Sequence, residues 1–188
     1  MMSVLKRVIG ILGLLLLAVP LLVSGQEDHK HQSDPDECAK LPAQLKLVVA
    51  AMDGPGKKLD AMLKRGDMTA LSPDLQRLDV VLHPSDHILL TAMPKAEQKS
   101  EGQTFAGYVA FSVPHDGLYR VSVDTTVWID VLDGDQIVER TKLNRRMQCG
   151  HVHKSLGFTL NTGVNYWLQL SSSKALEVHL VLTPEESS

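Results

Sequence analysis

The sequence predicts a mainly β protein, an antiparallel sandwich or barrel, preceded by a short N-terminal helical hairpin. Three observations predict it. From about residue 77, apolar residues recur at every second position in short runs. Turn residues separate these runs and no helical stretch interrupts them. Between residues 39 and 65 the apolar spacing is instead three and four, the period of a helix.

The elements follow in order. Residues 1–25 read as a signal peptide. Lys6 and Arg7 precede a 16-residue apolar run, Val8 to Val23, and small residues then lead to a polar stretch starting at Gln26. The run is shorter than the roughly 20 residues of a spanning helix, so no membrane span is expected after cleavage. Cleavage removes two basic and no acidic residues, taking the net charge from −3 to −5. That balance gives no electrostatic case for nucleic acid. Residues 26–37 (QEDHKHQSDPDE) are a polar leader with nothing to bury.

Residues 38–68 form the expected hairpin. Leu41, Leu45, Val48, Val49 and Met52 share one helical face, and Pro42 suits the first turn. Asp53-Gly54-Pro55-Gly56 ends that helix, and Leu59, Met62 and Leu63 mark a second one over 57–65. The sandwich spans 77–183. Strands are expected near 77–82, 87–92, 105–113, 118–124, 126–132, 136–143, 153–160, 165–171 and 175–182. Asp133-Gly134 predicts a type I′ hairpin. In the last strand Leu176, Val178, Leu180 and Leu182 face one way, and Glu177, His179 and Val181 the other.

Two segments echo each other. Phe111-Ser-Val-Pro-His-Asp-Gly-Leu-Tyr119 matches Phe158-Thr-Leu-Asn-Thr-Gly-Val-Asn-Tyr166, with aliphatics at alternate positions after each Tyr. Each reads as a strand–turn–strand corner. The Phe is in the core, the Gly is in the turn, and the Tyr ring points inward with its hydroxyl able to reach backbone. The two copies are expected at two equivalent edges of the sandwich. The stretches FSVPHDGLYRVSVD, VWIDVLDGD and LGFTLNTGVNYWLQLS resemble bacterial pre-peptidase C-terminal-type domains over residues 105–183. The resemblance implies an antiparallel, jelly-roll-like β-sandwich acting as a non-catalytic accessory domain of a secreted protein.

The two cysteines, Cys38 and Cys149, are expected to pair in an oxidising compartment and to tie the hairpin to the sandwich. The histidines supply a different chemistry. His151 and His153, placed on a strand, would face the same side near Cys149, with Met147 as a further ligand. If Cys38 pairs with Cys149, His29 and His31 of the leader come close to them. Imidazoles in that arrangement suit copper or zinc. His83 and His87 read as a solvated turn, and His179 as surface. Asp130, Asp133 and Asp135 lack the rhythm of a calcium loop and read as turn residues. Trp128 and Trp167, with Arg145 and Arg146 of the basic run 140–146, form a candidate ligand surface.

Signatures of nucleophilic, metalloprotease, phosphate-loop and dinucleotide chemistry are missing from the sequence. The expectation is therefore a periplasmic or secreted, non-enzymatic binding or accessory module. Its partner would be an envelope protein or a small ligand, and it would need no cofactor. The alternative is a periplasmic copper- or zinc-binding protein using His151 and His153.

Overall fold

A computed structural model describes residues 38–66, 70–91, 102–141 and 145–185, except the side chains of 145–148. The expected signal peptide, 1–25, and the leader, 26–37, lie outside the described residues. The described chain is mainly β, with two sheets around one core and one helix.

Helix α1 spans Ala43–Asp53. It starts behind Pro42 and buries Leu45, Val48 and Met52, the face its spacing predicts. Eleven strands follow. β1 is Gly56–Asp60, β2 Arg77–Val81, β3 His83–Pro84, β4 Phe105–Ser112 and β5 Gly117–Val123. β6 is Trp128–Asp133, β7 Gln136–Ile137, β8 Arg145–Cys149, β9 Val152–Leu160, β10 Asn165–Ser173 and β11 Glu177–Pro184. The six-stranded sheet has the order β1-β2-β11-β5-β9-β8, and the five-stranded sheet β3-β4-β10-β6-β7. Every pairing is antiparallel except β1 with β2.

The second helix of the expected hairpin is a strand instead. Residues 56–60 form β1, in parallel register with β2 from Gly56↔Arg77 to Asp60↔Val81. A helix of nine residues is marginal unless packing rescues it. Here a ladder with a distant strand satisfies the same backbone groups. Gly56 permits it, because a Cβ there would stand 2.1 Å from an Asp79 carboxylate oxygen. The following segment runs along the edge of β4, with bridges Met62↔Tyr108 and Leu71↔Phe111.

Three other expectations are corrected. Residues 85–87 form a 3-10 turn and 88–91 no strand. Of the strand expected over 136–143, the described part is a strand only at Gln136–Ile137, and a strand forms at Arg145–Cys149 where none was expected. The β6–β7 loop is Gly134-Asp135, with positive φ only at Gly134. Positive φ at the first central residue alone fits a type II′ turn, not I′. The β8–β9 loop, Gly150-His151, follows the same rule, with φ +57° at Gly150.

The core lies between the sheets. Val109 and Phe111 of β4, Ile129 and Val131 of β6, and Leu168 and Leu170 of β10 meet Val121, Leu156, Phe158 and Leu180 of the other sheet. A second cluster packs α1 on the outside of the six-stranded sheet, where Leu45, Val48 and Met52 meet Val152, Val181 and Cys149. There Cys149 bonds Cys38, with Cα atoms 5.3 Å apart. Among the described residues, no helix is long and apolar enough to cross a membrane.

The two echoed corners behave locally as the sequence predicts. The Tyr119 hydroxyl donates to the His115 carbonyl at 2.9 Å, and Asn161 N–H donates to the Tyr166 hydroxyl at 2.9 Å. Both rings are buried. The corners do not sit at two separate edges, however. Each crosses from one sheet to the other, so β4 pairs with β10 and β5 with β9. Phe111 then registers opposite Tyr166, and Tyr119 opposite Phe158. Thr162 N–H reaches Asp116 Oδ1 at 2.6 Å and joins the two turns. Pairing the units side by side extends both sheets at once, which separate edges would not. Tyr119→Phe and Tyr166→Phe are each expected to cost about 1 kcal/mol, the usual worth of one such hydrogen bond. Urea melts check this, and an unchanged midpoint in both variants would remove the hydroxyls from the account.

Candidate functional site

The cysteine–histidine cluster is arranged differently from the expectation. Cys149 is in the disulfide and has no thiolate to offer a metal. His151 is a turn residue, not a strand residue, so it does not share a strand face with His153. Its Nδ1 lies 2.7 Å from Asp53 Oδ1 at the end of α1. His153 Nε2 lies 3.2 Å from Thr126 Oγ1. Met147 is on β8 with its side chain outside the described residues, as are His29 and His31 entirely. Among the described residues, no group of three or more His, Cys, Asp or Glu is arranged to hold a metal. His83 Nε2 pairs with the Ala61 carbonyl at 2.8 Å, and His87 is exposed.

His179 is more than surface. Its Nδ1 is 2.8 Å from Asp124 Oδ2, and its Nε2 is 3.0 Å from Glu177 Oε1 and 3.7 Å from Asp79 Oδ1. Arg77 Nε donates to Asp79 at 2.7 Å, and Arg77 Nη1 donates to the Met52 carbonyl at 3.0 Å. The network fastens β2, β11, the end of β5 and the end of α1 together. Only Glu177 and His179 were visibly on one face in the sequence. Asp79 and Asp124 join through register.

The outer face of the five-stranded sheet carries the other polar array. With Ile129 and Val131 turned inward, Trp128, Asp130 and Leu132 of β6 point out. Trp167, Gln169 and Ser171 of β10 do the same and stand opposite Leu132, Asp130 and Trp128 respectively. Tyr108 of β4 stands opposite Gln169. Both tryptophans of the chain and the one tyrosine outside the corners thus share a face.

The contacts on this face are specific. The Arg140 guanidinium lies over the Trp128 ring, 4.7 Å from its centroid, and Nη2 donates to Asp130 Oδ1 at 3.0 Å and to the Ile129 carbonyl. Gln169 Nε2 lies 3.5 Å from Asp130 Oδ2. Gln169 Oε1 lies 2.9 Å from the Tyr108 hydroxyl, which accepts from Thr91 N–H at 2.8 Å. Tyr108 and Trp167 meet edge to face at 6.4 Å. Asp130, Gln169 and Ser171 are buried, whereas Trp128, Trp167 and Arg140 are part-exposed. The Ser171 hydroxyl is buried with no hydrogen-bond partner among the described residues.

Trp128 and Trp167, expected as a ligand surface, therefore come together on one face. Arg145 and Arg146 are not in that sheet. Their backbones lie on β8, at the edge of the six-stranded sheet, opposite Ser155 and Lys154. Asp130 is not a turn residue as expected, but a buried one. The alternation Trp-x-Asp-x-Leu beside Trp-x-Gln-x-Ser was the available signal. It becomes a site only once β6 and β10 are known to pair.

Burial pushes the Asp130 carboxyl above its ordinary value, against the pull of Arg140. The unfolded chain then releases this proton first. Between the two pKa values the folded state holds more protons, so this contribution to stability falls as pH rises. The fall starts near the ordinary carboxylate value of about 4 and ends above the raised folded value. Asp130→Asn is expected to flatten that part of the profile. Urea midpoints of both proteins across the acidic range test it, and parallel curves would contradict it.

No protein-family model, curated protein or solved structure matches the chain.

Proposed function

We propose that the protein is an exported, non-enzymatic binding module, and that its ligand surface is the outer face of the five-stranded sheet. The observation that carries this reading is that Trp128, Trp167 and Arg140 stay part-exposed on this face, Arg140 held over Trp128 and paired with the buried Asp130, beside the strip where Ile88, Leu90 and Thr91 cover Tyr108 and Gln169. Packing between the sheets does not require this array. Side chains held in one geometry by buried partners are what a binding surface needs.

The finer architecture in this reading is a jelly roll. In support, β2-β11-β5-β9 face β4-β10-β6-β7, so successive strands from β4 to β6 and from β9 to β11 alternate between sheets as in two Greek keys. The resemblance of residues 105–183 to pre-peptidase C-terminal-type domains implies a jelly roll as well. Export is supported by the disulfide, which belongs to oxidising compartments, and by the signal-like first 25 residues.

The test is sedimentation of the mature chain with the envelope fraction of its producing cell. Trp128→Ala and Trp167→Ala are expected to stay in the supernatant while remaining folded. Leu47→Ala, on the exposed side of α1, is expected to pellet like the parent. Equal pelleting of all four proteins would sink the assignment of the face.

Copper or zinc binding at His151 is the second reading. In its favour, a carboxylate oxygen of Asp53 faces Nδ1, which orients the ring and leaves Nε2 for a ligand, as carboxylates commonly do for metal-bound histidines. Calorimetry with Cu(II) and Zn(II) decides it. The reading requires micromolar binding that His151→Ala abolishes, and absence of heat rejects it.

A further inference from the structure

We infer that His179 is a pH-sensitive clasp. Protonated, it draws together carboxylates from β2, β11 and the end of β5. On losing a proton it lets Glu177 go and loosens that junction. Neither state needs the proposed ligand surface to be occupied.

The chemistry of the ring contacts requires this. His179 Nδ1 lies 2.8 Å from Asp124 Oδ2, and Nε2 lies 3.0 Å from Glu177 Oε1. An ionised carboxylate only accepts hydrogen bonds, and a neutral imidazole has a single N–H to donate. Both contacts are hydrogen bonds together only when the ring carries two protons. Asp79 Oδ1, 3.7 Å from Nε2, adds a further negative charge on that side. A neutral ring would turn a lone pair toward one carboxylate, and that contact would repel.

The surrounding charges decide which contact yields. With the ring protonated, His179 and Arg77 face Asp79, Asp124 and Glu177. With the ring neutral, Arg77 is the cation left within this cluster. Lys58 of β1 stands opposite Asp79 in register and is exposed, and the Asp53–His151 pair lies at the end of α1. Two of the carboxylates have other ties. Arg77 Nε donates to Asp79 Oδ1 at 2.7 Å, and the His179 backbone N–H donates to Asp124 Oδ1 at 3.0 Å. Glu177 has the most exposed side chain of the three, at 44%. Water solvates it readily once it leaves the ring, so it yields first.

The clasp sits where several elements meet. His179 stands opposite Asp79 across the β11–β2 pairing. Asp124 follows β5 directly and begins the connection 124–127 to β6. Arg77 Nη1 donates to the Met52 carbonyl of α1 at 3.0 Å. The His179 side chain is 32% exposed, so solvent protons reach it. Imidazole is the side chain that gains or loses a proton near neutrality. A change in outside acidity thus becomes a change in how firmly β2, β11 and β5 close.

The experiment compares the full mature chain with Glu177→Gln from about pH 5 to 8. A glutamine amide accepts from a protonated ring and donates to a neutral one, so the variant closes the clasp in both states. Nitrogen NMR of the parent's His179 ring should show two protonated nitrogens at the acidic end and one at the alkaline end. Over the same range, protection of the His179 and Asp124 amides against hydrogen exchange should fall about threefold more in the parent than in the variant, the scale of a part-exposed ion pair. Effects of Asp130 and of the Asp53–His151 pair are common to both proteins and cancel. A ring whose proton count stays constant across the range overturns the clasp. Equal loss of protection in parent and variant overturns it as well.

Discussion

Replacing Cys38 and Cys149 together by alanine is expected to lower stability by roughly 4–5 kcal/mol, the chain-entropy value for so long a loop. The bond joins residues 111 apart in sequence. It also lies inside the cluster that docks α1, where Cys149 is buried beside Leu45, Val48 and Met52. The helix is only eleven residues long and is marginal without its packing face. Loss of the bond should therefore loosen α1 first. Urea melts of the two proteins measure the size of the effect. Limited trypsin digestion locates it, with cleavage at Lys46 expected to appear in the variant before general unfolding. A loss under 1 kcal/mol, with Lys46 still protected, would show that the helix holds without its covalent tie.

Glu185→Ala is expected to cost about 3 kcal/mol, because it removes a carboxylate facing a buried guanidinium. Arg120 is 2% exposed on the outer face of the six-stranded sheet. Its Nε donates to Glu185 Oε2 at 2.7 Å, and Nη2 contacts the same oxygen. Nη1 reaches Ser155 Oγ at 3.3 Å, which in turn lies 2.7 Å from Ser122 Oγ. The backbone is tied down as well. Glu185 N–H donates to the Leu118 carbonyl at 2.7 Å, and Gln44 of α1 donates to the Pro184 carbonyl at 2.8 Å. The pair is costly to break and not necessarily stabilising to possess. The double variant Arg120→Met with Glu185→Ala should consequently recover much of the loss. Chemical denaturation of the two variants and the parent tests both statements. Equal losses in single and double variants would mean that the effect comes from the tail backbone, not from the charge.

These two results concern segments that the sequence describes very differently. Cys38 and Cys149 could be paired by elimination, because they are the two cysteines of a chain with a signal-like start. The tail could not be read. Residues 183–188 look like a loose acidic end, yet 183–185 continue the pairing of β11 with β5 and supply Arg120 with its carboxylate. A single glutamate in a polar tail carries no mark of the arginine it will meet 65 residues away.

The same division runs through the fold. The strand faces, the apolar stripe of α1 and the Tyr corners were legible because each depends on residues within about ten positions of one another. A period of two or 3.6 is a local property of the backbone. The strand status of 56–60, the buried position of Asp130, the carboxylates around His179 and the gathering of both tryptophans on one face were not legible. Each arises when strands distant in sequence pair in a particular register. That register is selected by the shared core and by close approaches such as Gly56 to Asp79, which have no signature in any one segment. The amino-acid order therefore specified a disulfide-linked, mainly β chain and the inward side of most of its strands. Long-range pairing then set which outward residues became neighbours, and with them the place where a ligand could be held.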